Sequence, residues 1–314
     1  MAKMKHICIT AIIILLISII AVAYIIVLST PQQPQANKAD PKTIGICVHS
    51  LSPDDAQLIN QTGARWIRID ISDNQTALTA SLINAKNYDL YVLGILGSWM
   101  LNQSCSFTLD QWRSAVSSNV SKYAPYVDAW EIWNEPASTE PGWQLQADYL
   151  SMVQIASPII RSTDPTAKIV LLGGLQLYKG SPNVPAEDKA FAENLPINIT
   201  DYGDAISVHA YPWGNTASSV WVSQYSSSLQ YYNQLFDSLE VWVTETGQNI
   251  TDCGGNEQLQ AQYLSDSLNF FNGKVSHVFW YALYDDNSIM GDFGLIQGAV
   301  NPRSCYTELR ALLV

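Results

Sequence analysis

Residues 129–138 read AWEIWNEPAS. The stretch opens as a buried strand, yet it carries Glu131 between Trp130 and Ile132, and Glu135 between Asn134 and Pro136. Desolvating a lone carboxylate costs on the order of several kcal/mol or shifts its pKa, so each glutamate needs a reason to be there. On either side of this stretch the chain repeats one rhythm. Strand-like apolar runs occur at Ile44–Val48, Arg65–Asp70, Tyr91–Ile95, Ala129–Trp133, Lys168–Leu172, Ala205–His209, Leu239–Thr244 and Ser276–Tyr281. Helix-length amphipathic segments lie between them. One opens at Ser52-Pro53 with two aspartates behind, an N-cap followed by a proline in the first turn. Others cover Asp110–Tyr123, Trp143–Arg161, Ser218–Asp237 and Gln258–Phe271, and Arg303–Leu313 closes the chain.

Strands alternating with helices imply a parallel sheet. Eight such units over about 270 residues predict an α/β fold of the (β/α)8, or TIM barrel, type, which typically takes about 250. An open doubly wound sheet is the competitor. It normally carries a glycine-rich phosphate loop after its first strand, and GICVHSLSPDD (45–55) has none.

In a barrel the C-terminal ends of the strands share one face. Those ends carry Arg68, Ser98 and Trp99, Asn134 and Glu135, His209 and Tyr211, Glu245, and Trp280. The seventh run, LEVWVTETGQ (239–248), ends like the fourth in a glutamate. Two carboxylates at one mouth suit cleavage of a glycosidic bond, in which one protonates the leaving oxygen and the other attacks or stabilises the anomeric carbon.

WEIWNEP (130–136), SVHAYPW (207–213), VWVTETG (241–247) and VFWYALYDD (278–286) together resemble the clan A retaining glycoside hydrolases, families 5 and 39 above all. The resemblance runs from about Thr43 to Val314 and implies a barrel hydrolase needing no cofactor. It implies Glu135 as acid/base, Glu245 as nucleophile and Asn134 on the sugar 2-hydroxyl. It also implies Arg68 beside the nucleophile, His209 and Tyr211 as the strand-six pair, and Trp280 as the floor of the sugar subsite. Trp213 and Trp99 are further candidates for sugar contact, with His49, Tyr284, Asp285 and Asp286 behind them. Glu131, inside the strand, is then a structural carboxylate paired with a cation or hydrogen-bonded. One departure stands out: family 5 members usually carry a histidine at the end of strand three, where GILGSWM (94–100) offers Ser98 and Trp99.

Composition bounds the partners. The net charge is −12, with only 14% of residues charged, which argues against nucleic acid or an anionic membrane surface. Few cations also mean little self-repulsion once carboxylates are protonated, so the composition predicts tolerance of acid. Four histidines and no C-x-x-C pair give no metal site. Residues 1–28 hold an uncharged apolar run, Ile7–Leu28, behind Lys3 and Lys5. That matches the roughly 20 residues of a membrane-spanning signal-anchor with the remainder exported. Cleavage near Ala21–Ala23 would instead give a secreted protein. Residues 29–42, rich in Pro, Gln and Ala, read as a linker to the hydrolase domain at 43–314. Export fits six N-glycosylation sequons, at Asn60, Asn74, Asn102, Asn119, Asn198 and Asn249, which predict a glycoprotein. It also fits Cys47, Cys105, Cys253 and Cys305, an even count that permits two disulfides, while the apolar strand pattern around Cys47 equally suits a buried thiol. The expected partner is a β-linked oligo- or polysaccharide. The alternatives are a surface carbohydrate-binding protein on a decayed hydrolase barrel and a structural envelope protein.

Overall fold

Eight parallel strands close on themselves in sequence order: β1 (Ile44–Val48), β2 (Trp66–Asp70), β3 (Tyr91–Leu96), β4 (Ala129–Ile132), β5 (Lys168–Gln176), β6 (Ala205–Ala210), β7 (Glu240–Thr246) and β8 (His277–Trp280). The closing pair matches Gly45 of β1 with Phe279 of β8. The computed structural model describes residues 40–140, 144–178, 184–213, 218–285, 291–298 and 301–314, all within one compact unit, Lys38–Val314. The expected anchor, most of the linker and Asp286 lie outside the described residues. Among the described residues no helix is long and apolar enough to cross a membrane.

The helices are α1 (Pro53–Thr62), α2 (Gln75–Asn87), α3 (Leu109–Tyr123), α4 (Tyr149–Thr163), α5 (Ala186–Asn194), α6 (Ser218–Leu235), α7 (Glu257–Phe271) and α8 (Ser304–Leu313). Local chemistry fixes their ends. Ser52 accepts from the Asp55 amide while Asp55 accepts from the Ser52 amide, and Gly63 closes α1 at φ 89°. Thr108 and Gln111 make the same reciprocal box on α3. Helix α4 starts at Tyr149, six residues later than the sequence suggests, where Asp148 caps the Ser151 amide. A short antiparallel pair, β9 (Ile296–Gln297) with β10 (Asn301–Pro302), follows the barrel.

The period-two alternation of strand side chains sorts the core into two layers. Trp66 of β2 meets Trp242 of β7 and Phe279 of β8 at centroid distances of 5.5 and 6.2 Å, contacts possible only through the barrel interior. Leu93, Ala129, Val170 and Ala205 complete that inner layer. Their neighbours Trp130, Ile132, Leu171 and Trp280 face outward, in the layer shared with the helices.

The two disulfides that the even cysteine count permits are not formed: Cys47, Cys105, Cys253 and Cys305 are free thiols, and Cys47 is the buried thiol that its strand pattern suits. Cys47 sits on the inner face of β1 with its thiol directed to the Thr244 carbonyl, while Cys305 on α8 donates to Gln260. Each is enclosed by its own part of the core, and burial pushes both thiols up.

Candidate active site

Arg68 stands two residues beyond Trp66 on the same inward face, so it rises from the core layer into the mouth of the barrel. Each of its three nitrogens is spoken for: Nε donates to Glu131 Oε2 at 2.5 Å, Nη1 to Glu245 Oε1 at 2.6 Å and Nη2 to Asn134 Oδ1 at 2.7 Å. One guanidinium thus ties together β2, β4 and β7. Glu131 is fully buried, and Arg68 is its cation. That accounts for the first acid of the opening stretch.

Glu245 reaches the interior through a register shift. Val208 pairs with Val243, but His209 pairs with Glu245, so Thr244 is an extra residue on β7. In an unbroken strand Glu245 would share the outward parity of Val243; the bulge turns it in. There Tyr211 donates its hydroxyl to Glu245 Oε2 at 2.6 Å. Burial alone would raise the Glu245 pKa. The positive charges of His209 and Arg68 and the hydrogen bonds from Tyr211 and Arg68 outweigh it and hold the carboxyl below its usual range.

Glu135 is held differently. The chain leaves β4 through two left-handed residues, Trp133 at φ 67° and Glu135 at φ 47°, a conformation costly outside glycine. The Glu135 amide is fastened to the Gly173 carbonyl at 2.5 Å, and a Cβ on Gly173 would lie 2.6 Å from Trp133 O. The side chain remains 40% exposed, open to the cleft. Its Oε1 accepts from Gln176 Nε2 at 2.8 Å and lies 2.9 Å from His209 Nδ1.

His209 is fully buried between the two glutamates, with Nε2 3.7 Å from Glu245 Oε1. Burial pulls its pKa down, but the Glu245 charge and the Glu135 hydrogen bond prevail and raise it. One ligand atom each from Glu135, His209 and Glu245 fall within 4.8 Å of one another. Such a triad could be read as a cation site. Arg68 and the imidazole already bring positive charge to it, and Glu245 spends both oxygens on Arg68 and Tyr211.

The mouth is a cleft of two lobes, each about 280 Å3, meeting at Glu135. One lobe holds Glu245, Arg68, Asn134, Asp70, His49, Trp99 and Tyr281. The other holds Gln176, Tyr211, Trp213, Gln248 and Phe293. Burial pushes the Asp70 carboxyl up to about 6, against the pull of Arg68 and His49.

A family model described as cellulase, glycosyl hydrolase family 5, matches residues 98–287, more than half of the chain. The chain belongs to glycosyl hydrolase family 5. Solved structures share its clan A barrel at low identity. A family 39 glycoside hydrolase from Bacteroides cellulosilyticus WH2 is 21% identical with a TM-score of 0.65, over 88% of this chain and 64% of that one, so this chain spans less than two thirds of that neighbour. The catalytic domain of the major endoglucanase of Xanthomonas campestris pv. campestris is 14% identical with a TM-score of 0.59, over 88% and 94%. A family 128 endo-β-1,3-glucanase from Amycolatopsis mediterranei, in complex with laminaritriose, is 17% identical with a TM-score of 0.58, over 86% and 99%. A comparison with curated protein sequences found no match.

Of the residues the sequence singles out, this family 5 chain joins Arg68, Asn134, Tyr211 and Glu245 by hydrogen bonds and His209 to Glu135 by another, with His209 Nε2 3.7 Å from Glu245 Oε1 between the two groups. Trp213, 50% exposed and edge-on to Tyr211, and Trp99, 38% exposed, line opposite lobes. Trp280 is placed elsewhere. The alternation that turns Phe279 inward sends Trp280 outward, where its indole donates to Phe293 O at 3.1 Å; Tyr281, next in line, reaches the cleft. Tyr284 donates to Asp55, and Asp285 pairs with Arg303, so both are used by the scaffold. Gln176, Asp70, Gln248 and Phe293 went unseen. Only Gln176 left a sequence signal, the Gly173-Gly174 pair that announces a break in β5.

Proposed function

We propose that this family 5 chain is a retaining β-glycosidase, with Glu135 as acid/base and Glu245 as nucleophile, acting on β-linked oligo- or polysaccharides of uncharged sugars. The observation that carries the reading is the approach of the two carboxylates, an oxygen of each within 4.8 Å of the other. Retaining enzymes keep their pair about 5–5.5 Å apart, whereas inversion needs about 6.5–9.5 Å to seat a water.

The surroundings supply the division of labour. Glu245, held ionised by His209, Arg68 and Tyr211, attacks the anomeric carbon. Glu135, open to the cleft, gives its proton to the departing oxygen and then takes one from the water that releases the glycosyl-enzyme. Asn134, anchored on Arg68, presents its amide N–H to the 2-hydroxyl. The attacked sugar sits in the Arg68 lobe, and the leaving part of the substrate enters the Gln176 lobe. Among the charged residues of the described lining, carboxylates outnumber the one arginine, which is fully engaged; this disfavours uronic acids. The endoglucanase neighbours favour a β-glucan first. The apolar run at 7–28 would carry the enzyme to the outer face of the membrane.

Incubation with aryl β-glycosides and with β-glucan, xylan and mannan, beside Glu135→Gln and Glu245→Gln, tests this. The parent is expected to release sugar from at least one, and each variant to lose about a thousandfold. Saturable binding with no turnover by the parent would contradict it and favour the carbohydrate-binding alternative.

A further inference from the structure

We infer that Gln176 is a positioning residue for the proton donor: its amide fixes which oxygen of Glu135 faces the substrate, and its carbonyl is a waiting acceptor for a hydroxyl of the leaving sugar. The inference rests on the reading of Glu135 as acid/base.

Gln176 reaches this place by the largest irregularity in the sheet. Leu171 pairs with Ile206 and Leu175 with Val208, so β5 spends four residues where β6 spends two. The surplus sits in three left-handed residues, Leu172, Gly173 and Gly174. Gly174 is pressed on the imidazole, for a Cβ there would lie 2.2 Å from His209 Nε2. Beyond the bulge Gln176 pairs with His209, which puts both side chains on the inward face, side by side. Its backbone is pinned from two directions. The amide donates to Asp188 Oδ1 at 2.9 Å, and the carbonyl accepts from the Tyr232 hydroxyl at 3.3 Å.

A carboxylate is acceptor-only, so the amide nitrogen of Gln176 is the end that meets it. Glu135 Oε1 takes the amide donor Gln176 Nε2 at 2.8 Å and, with the imidazole proton on Nδ1, a second donor in His209 at 2.9 Å. A proton on the acid form therefore resides on Oε2, the oxygen neither residue touches. The other end of the same amide, Oε1, is buried with no hydrogen-bond partner among the described residues, and Gln176 lines the lobe assigned to the leaving group. Buried acceptors are almost always satisfied, so an empty one at a cleft wall points to a ligand donor. Sugar hydroxyls are the donors a glycoside would bring.

Gln176→Met keeps the volume and removes both polar ends. Gln176→Glu keeps the shape but replaces the donor with an oxygen. The measurement is kcat/KM against pH on a β-linked oligosaccharide and on a 2,4-dinitrophenyl β-glycoside, whose leaving group needs no proton. Both variants are expected to lose about tenfold or more on the oligosaccharide and several times less on the activated glycoside. The alkaline limb of the oligosaccharide profile should move to higher pH, because a donor to the ionised carboxyl has gone. Equal losses on both substrates, or an unmoved limb in both variants, would overturn the inference while leaving the hydrolase intact. A parent that turns over neither substrate would instead sink the hydrolase reading on which the inference stands.

Discussion

Arg68 Nε donates to Glu131 Oε2 across 2.5 Å with both side chains closed to solvent. Glu131 is therefore the fixed anchor that aims the guanidinium at Glu245. Removing one partner of a buried pair costs about 3–5 kcal/mol, because the survivor keeps its desolvation penalty. Glu131→Ala should fall at the lower end of that range, since Arg68 retains Glu245. Urea unfolding measures it, and a loss below about 1 kcal/mol would show that the pair is not structural.

Tyr211 and Glu245 set the acidic side of the activity. The phenol donates to Oε2 at 2.6 Å and helps hold down the pKa of Glu245, the proposed nucleophile. Tyr211→Phe removes a hydrogen bond to the charged form, so the pKa rises. The acidic limb of kcat/KM should move up by about one pH unit, with a loss of about ten- to a hundredfold at its optimum. A limb that stays put would mean that His209 and Arg68 suffice.

Gly174 tests the bulge. At φ 95° a side chain is strained before any contact is counted, and its Cβ would overlap the His209 ring. Gly174→Ala should cost about 2–4 kcal/mol and displace the imidazole from Glu135. Denaturation reads the first, and a crystal structure of the variant the second. Wild-type stability would refute the contact.

His277 opposes the acid tolerance that composition suggests. Its ring lies 3.8 Å from that of Trp242 and against Trp66, and burial depresses its pKa to about 4. A depressed folded pKa contributes stability that is present above the unfolded value near 6.5 and lost as pH falls toward 4. The loss is up to about 3 kcal/mol. In His277→Phe, stability between pH 6.5 and 4 should be flatter than in the parent. An unchanged slope would place the acid sensitivity elsewhere.

The barrel was legible because each strand is an apolar run of the right length between helix-sized segments, and every predicted strand is present to within a few residues. The two candidate glutamates, Glu135 and Glu245, were legible because both close such runs. Face assignment was not. Trp280 stands one residue out of phase with the sequence expectation, since β8 runs unbroken against β1 and its alternation turns Phe279 inward and Trp280 outward. Gln176 was hidden because the predicted strand stopped at Leu172, before the bulge that carries the chain on. Helices α2 and α5 carry a weak signal for a related reason: QTALTASLINAKN and AEDKAFAEN lack a clear apolar stripe, and AEDKAFAEN buries only Asp188 and Ala192. The cysteines suggested pairing by number alone, which says nothing of where four thiols sit in a closed ring.

The spacing of Glu135 and Glu245 leads to one product anomer. Proton NMR of the first sugar released from an aryl β-glycoside, recorded before mutarotation, reads it directly. The account predicts the β-anomer, from double displacement through Glu245. First release of the α-anomer would mean a water between the two carboxylates and would contradict it.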